Sequence, residues 1–228
     1  MLRSIPTSVI TAPLFAPLLQ IEEGFSCIVA DPPWRFSSNS DAKPERNARR
    51  HYRCLRPIEI ATLPVAKVAA PDAYLFLWVP GPFLAIGAHL EVMRAWGFKC
   101  TALGFAFVKL KRSLAAQPRL FFVEDDLFTG TGLTLRRNIE QCVLGRRGKP
   151  QRLAKDVHEV ILAPVGRHSE KPAEAYRRIE RYCAGPYLEL FARQHREGWS
   201  CWGDELPDIA SPPCESPVDL PCVSELAP

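Results

Sequence analysis

The 228-residue chain predicts an α/β domain, a mainly parallel sheet with helices on both of its faces. Three observations carry that reading. Short apolar runs of strand length alternate with segments of helical period. The length suits one such domain with its loops and a full core. A polar, proline-rich tetrapeptide, Asp31-Pro32-Pro33-Trp34, directly follows the first apolar run, where a parallel sheet opens into a pocket.

The elements follow in order. Residues 1–20 read as an irregular lead-in, and Pro6, Pro13 and Pro17 together with the missing basic start argue against a signal peptide. The first strand is 25–30 (FSCIVA), followed by a helix over 57–70 and a strand at 73–79 (AYLFLWV). Pro80-Gly81-Pro82 then separates that strand from a helix over 83–96, with Leu84, Gly87, Ala88, Met93 and Trp96 at mixed helical spacing. This punctuation leaves both halves of the uncharged stretch 73–90 too short to cross a bilayer. Strands are expected at 101–108, 139–144 and 158–162, then a helix at 172–183 and a strand at 187–191. Pro172 opens that helix at a favoured first-turn position, and Ala175, Tyr176 and Ile179 share one face. Residues 35–53 and 111–137 lack an apolar period and read as long, functional loops. From Pro207 there are six prolines in the last 22 residues, which predicts a disordered tail over 207–228.

Charge is unevenly spread. The net value is +4, but residues 203–228 carry six acids and no base, leaving about +10 on the rest. Segment 35–53 holds six Arg or Lys against two acids, and 109–152 holds ten against four. Basic loops of this kind suit a polyanion partner, although solvated loop surfaces would look the same. The eight cysteines are scattered, with no C-x-x-C pair and no metal-ligand spacing. Several lie in apolar runs, as reduced core thiols do, which points to a reducing cytosol and to no metal site.

The tetrapeptide carries the chemistry. An exocyclic aromatic amine is a poor nucleophile because its lone pair is delocalised into the ring. Accepting hydrogen bonds from both of its N–H groups draws the nitrogen towards tetrahedral geometry. The Asp31 carboxylate can accept one, and the Pro32 carbonyl the other, held by the fixed φ of proline. Trp34 offers a surface on which a base can stack. Such a base must be single-stranded or flipped out of a duplex. A strand-ending turn with a capping Asp and a buried Trp would need none of this, but neither would it need two prolines and an aromatic together.

On these residues the chain resembles the S-adenosylmethionine-dependent adenine-N6 methyltransferases of the MT-A (seventy-kilodalton-subunit) family. Further matches are Leu77-Trp78-Val79, Trp96 to Lys99, Glu140, Leu144 to Gly148, His168 to Pro172, Glu189 to Arg193, Gly198-Trp199 and Trp202 to Glu205. The resemblance implies a Rossmann-like methyltransferase domain over 21–206, in permuted order, with the catalytic motif before the cofactor strand. It implies that Asp31, Pro32, Pro33 and Trp34 are catalytic. It implies that Asp31, Lys171, Glu189, Arg193, His195, Asp204 and Glu205 bind S-adenosylmethionine. Physically, Lys171 at a helix start suits the cofactor's carboxylate. Glu189 stands out as an acid in an apolar strand, where a carboxylate is rarely buried unless paired.

Trp34, Arg35, Arg50, His51, Tyr52 and Lys109 are the expected substrate contacts, with ordinary loop packing an equal alternative for His51 and Tyr52. Arg196 departs from the family, where asparagine stands, and its role is open. His168 and Ser169 could equally be local capping residues. The partner is nucleic acid, DNA more than RNA, with no membrane and with a homo- or heterodimeric state open. The expected setting is the cytoplasm of a bacterial or phage-infected cell. The rival reading is an inactive nucleic-acid-binding platform paired with an active subunit. Methylation of cytosine N4 would share the amine chemistry, but its usual motif begins with Ser and ends with Tyr or Phe.

Overall fold

The computed structural model of the chain describes residues 24–36, 54–116, 121–130, 135–166, 170–204 and 206. The lead-in 1–20 and the tail 207–228 lie outside these residues, as does most of the loop 35–53.

Seven strands form one sheet: β1 (Phe25–Ala30), β2 (Ala69–Val79), β3 (Lys99–Leu110), β4 (Ile139–Arg147), β5 (Val160–Pro164), β6 (Tyr187–Leu190) and β7 (Trp199–Trp202). Their spatial order is β5-β3-β4-β2-β1-β6-β7. β1 pairs in parallel with β2 and β6, β6 with β7, and β3 with β5, while β4 runs antiparallel to both of its neighbours. Six strands therefore share one direction and β4 alone opposes them, so the fold is the mostly parallel, Rossmann-like methyltransferase architecture. One consequence bears on the site. The start of β4 lies at the same edge of the sheet as the carboxyl ends of its neighbours.

Both faces are covered. On one, α1 (Pro57–Ala61), α2 (Val65–Val68), α3 (Gly81–Ala85) and α4 (Ala88–Ala95) pack over β1, β2 and β4. Trp96 is fully buried there and donates its indole N–H to the Ile60 carbonyl at 3.1 Å. Gly145 in β4 lets α4 approach, because a Cβ at that position would collide with the Met93 side chain. On the other face α5 (Ala173–Tyr182) lays Ala175, Tyr176 and Ile179 against Cys27, Val29, Tyr74 and Phe76. Burying Ile179 alone is worth about 1.5–3 kcal/mol.

Three expectations change. The helix over 57–70 is two short helices and the start of β2. Pro64 lacks a donor and restricts Leu63, so the first helix cannot run on. The helix over 83–96 breaks at Gly87, which sits at φ +72°, a conformation glycine adopts without Cβ strain. The edge strand β7 (WSCW) was not expected, since four residues with two tryptophans carry no resolvable alternation.

Candidate active site

β1 ends at Ala30, and the chain passes straight into the tetrapeptide. Its shape is set by backbone pairing. Trp34 N–H donates to the Pro32 carbonyl at 2.9 Å, Leu55 N–H to the Pro33 carbonyl at 2.7 Å, and Arg35 N–H to the Leu55 carbonyl at 2.8 Å. The Trp34 indole N–H donates to the Trp78 carbonyl at 3.0 Å, and its ring packs against Phe83 with centroids 5.1 Å apart. Trp34 is only 4% exposed. It is thus a wall of the site, anchored on one face, where the sequence suggests an open stacking platform.

Asp31 continues the β1 side-chain alternation through Cys27 and Val29, so it stands on the α5 face of the sheet. On that face a row of charge crosses the strand ends. Lys109 at the end of β3 pairs with Glu140 at the start of β4. Lys171, just before α5, pairs with Asp31, and it lies 3.3 Å from Glu140 Oε2. Its ammonium also sits 5.4 Å from the centroid of the Trp78 ring. The Lys171 side chain is 5% exposed, against 27% for Asp31 and 28% for Glu140. Two ammonium groups thus neutralise two carboxylates, with Lys171 buried beneath them and both carboxylates partly exposed to the cavity above.

The titration of these groups follows from the placement. Burial raises the Asp31 carboxyl above the ordinary range; Lys171 opposes the shift and the Glu140 charge adds to it. Burial disfavours the Lys171 ammonium, but Asp31 and Glu140 outweigh it and hold its pKa above normal. Glu140 also pays for burial, yet Lys171 and Lys109 bring it below the usual carboxylate range.

A second group flanks the row. Glu189 on β6 accepts a hydrogen bond from the Tyr176 hydroxyl at 2.6 Å. Arg196 stacks over the Tyr176 ring at 3.5 Å, and its Nε lies 3.9 Å from Glu189 Oε2, too far to bond. Among the described residues that Oε2 is buried with no hydrogen-bond partner. Burial raises the Glu189 pKa, with the Tyr176 hydrogen bond and the Arg196 charge opposing.

A cavity of about 720 Å³ opens over the row, a size that suits a nucleotide-scale ligand. Asp31, Pro32, Pro33, Trp34, Lys109, Lys171 and Arg193 line it, so the structure brings these expected residues together. Glu189 does not line it, and neither do Arg35, His195 and Asp204, which are exposed. Arg50, His51, Tyr52, His168, Ser169 and Glu205 lie outside the described residues. Sequence reasoning gave no role to Glu140, Trp78 or Tyr176. Glu140 stands among the family matches, and as an acid in an apolar strand it could have been given a role just as Glu189 was. No group of three or more metal-ligating side chains converges among the described residues, and no helix there is long and apolar enough to cross a membrane.

A doubly covered, mostly parallel sheet with an acidic Pro-Pro-Trp turn in a cavity at its carboxyl edge defines a methyltransferase of Rossmann-like fold. The chain belongs to the MT-A70 family, whose model matches residues 25–205. It is 28% identical over 202 residues to the type II methyltransferase M.MunI of a Mycoplasma species, covering 81% of this chain and 78% of that protein. It is 32% identical over 201 residues to the human N(6)-adenine-specific methyltransferase METTL4, covering 83% of this chain and 39% of METTL4. It is 30% identical over 190 residues to the catalytic subunit METTL3 of the human N(6)-adenosine-methyltransferase, covering 81% of this chain and 29% of METTL3. The chain therefore spans well under half of either human relative.

Proposed function

We propose that the protein transfers a methyl group from S-adenosylmethionine to the N6 amine of adenine in nucleic acid. The observation that carries this is the Asp31 carboxylate, set at the end of β1 inside a cavity of nucleotide size. Asp31 accepts one amine N–H. The Pro32 carbonyl already accepts from Trp34 N–H at 2.9 Å, and its second lone pair takes the other. With both N–H groups held, the nitrogen lone pair is freed from the ring. Burial raises the proton affinity of Asp31, which makes it a base within the site for the proton that the alkylated nitrogen sheds.

The residues present fit the cofactor. The cations Lys171 and Arg193 would take the carboxylate of its amino-acid tail. The buried, unpartnered Oε2 of Glu189 is an acceptor that its ammonium or a ribose hydroxyl would satisfy. By resemblance His195, Asp204 and Glu205 complete the set. When bound, S-adenosylmethionine supplies an electrophilic methyl carbon.

Of the two polymers we favour DNA. Support comes from the similarity to the type II methyltransferase M.MunI, 78% of which this chain matches. That match, with the six described cysteines all free thiols, also supports a bacterial or phage-infected cytoplasm. METTL3 is named as a catalytic subunit, which keeps a homo- or heterodimer in the proposal. The test is to incubate the purified protein and S-adenosylmethionine with adenine-containing DNA or RNA, digest, and measure the nucleosides by mass spectrometry. N6-methyldeoxyadenosine is expected. N6-methyladenosine from RNA alone would reverse the choice of polymer, and neither product would refute the activity.

A further inference from the structure

Two arginines that no sequence motif singles out also line the cavity: Arg112, two residues beyond β3, and Arg137, two residues before β4. They are anchored to different walls. Arg112 donates through Nε to the Val165 carbonyl at 3.4 Å and through a terminal nitrogen to the Gly166 carbonyl, on the loop after β5. Arg137 lies 5.6 Å over the ring of Phe36, and Phe36 packs on Phe83 with centroids 5.2 Å apart. Because Phe83 also packs on Trp34, a continuous aromatic wall runs from the catalytic turn to the Arg137 guanidinium.

The charge balance separates these two from the other cations. Lys109 and Lys171 are held by Glu140 and Asp31. Among the described residues no carboxylate lies within 4 Å of Arg112 or Arg137, even though Glu170 lines the same cavity. Backbone carbonyls occupy only part of the five-donor fork of Arg112, and no charge there is neutralised. Backbone and aromatic contacts orient the guanidinium groups, leaving their positive charge for a ligand. A guanidinium fork of this kind fits an anion that offers two oxygens side by side, as the non-bridging oxygens of a phosphodiester do.

We propose that Arg112 and Arg137 form a phosphate clamp for the backbone flanking the target adenosine, one arginine to a phosphodiester. This rests on the methyltransferase reading above and specifies how its polymer is held. The clamp positions the strand and carries no sequence information. The Phe36–Phe83–Trp34 wall would then guide the extruded base from the Arg137 rim to Asp31.

The experiment uses the full chain and a single-stranded DNA oligonucleotide whose adenine the wild type has been shown by mass spectrometry to methylate. Binding is followed by fluorescence anisotropy as a function of salt. Arg137→Ala and Arg112→Ala should each weaken binding by about tenfold. Each should flatten the slope of log K against log salt by about 0.7. Arg137→Lys should restore the salt slope but only part of the affinity, because an ammonium keeps the charge and loses the bidentate, stacked contact. In a matched oligonucleotide, methylphosphonate replaces one phosphate beside the adenine. For at least one flanking position this neutral linkage should weaken wild-type binding and leave Arg137→Ala unaffected.

Arg112 also tethers the loop after β5, so melting curves accompany its variants, and the Arg137 series decides the matter if Arg112→Ala misfolds. Wild-type affinity and salt slope in both alanine variants, or equal losses with the neutral linkage in wild type and Arg137→Ala, would overturn the clamp and leave the activity standing. A wild type that methylates no adenine would remove the activity and the clamp with it.

Discussion

The two sides of the charge row solve the same problem differently. On the β3–β4 side every charge has a close ion partner, Lys109 on Glu140 and Lys171 on both Glu140 and Asp31, although among the described residues Glu140 Oε2, like Glu189 Oε2, is buried without a hydrogen bond. On the β6 side Glu189 accepts a hydrogen bond from Tyr176, while among the described residues its second oxygen has no hydrogen-bond partner and faces Arg196 Nε from 3.9 Å. The β3–β4 side is saturated in ion pairs and fixes the Asp31 carboxylate in place. The β6 side is tied by one tyrosine hydrogen bond and a guanidinium stacked on the tyrosine ring. An unsatisfied buried acceptor costs stability unless a ligand or water satisfies it.

Breaking the saturated side should cost most. Lys171→Met removes the cation shared by Asp31 and Glu140 and leaves two carboxylates facing each other at low exposure. We expect a loss of about 3 kcal/mol in urea unfolding. Methyl transfer should disappear with it.

Tyr176→Phe removes the one hydrogen bond that Glu189 accepts among the described residues, and should cost about 1–2 kcal/mol at neutral pH. Its pH dependence has a definite sign. The folded pKa of Glu189 is raised, so the native state gains stability as pH falls and the carboxyl protonates. The deficit of Tyr176→Phe should therefore be full above the Glu189 titration and shrink below it. A deficit that grows on acidification would show that the hydroxyl does not serve the ionised form.

The smallest effect concerns acidity. Asp31 must be ionised to accept an amine N–H, and its raised pKa puts the acid limb of the rate profile above the ordinary carboxylate range. The Glu140 charge contributes to that rise. Glu140→Gln should therefore move the limb to lower pH, whatever it does to the maximal rate. A limb that stays put or moves up would remove Glu140 from the electrostatics of Asp31.

Much of this was legible in the chain because local signals agreed with the tertiary outcome. FSCIVA is a strand to the residue, and Ala175, Tyr176 and Ile179 face the core as their helical spacing requires. Asp31, Lys171 and Arg193 meet in one cavity although 140 residues separate the first pair. What escaped was set by long-range contact. The β7 strand exists because β6 offers it an edge from Tyr187 to Leu190. The burial of Trp34 depends on Phe83 and the Trp78 carbonyl, both more than 40 residues away. Arg112 and Arg137 look like any loop arginines until the strands bring them over one cavity.

The most direct test is transfer of a labelled methyl group from S-adenosylmethionine to adenine-containing DNA by wild type and Asp31→Ala, with melting curves showing that both are folded. The wild type should label the DNA, and the variant should be slower by about 100-fold or more, the scale lost with one group that stabilises a transition state. A folded Asp31→Ala that labels adenine at the wild-type rate would contradict the role given to the turn at the end of β1.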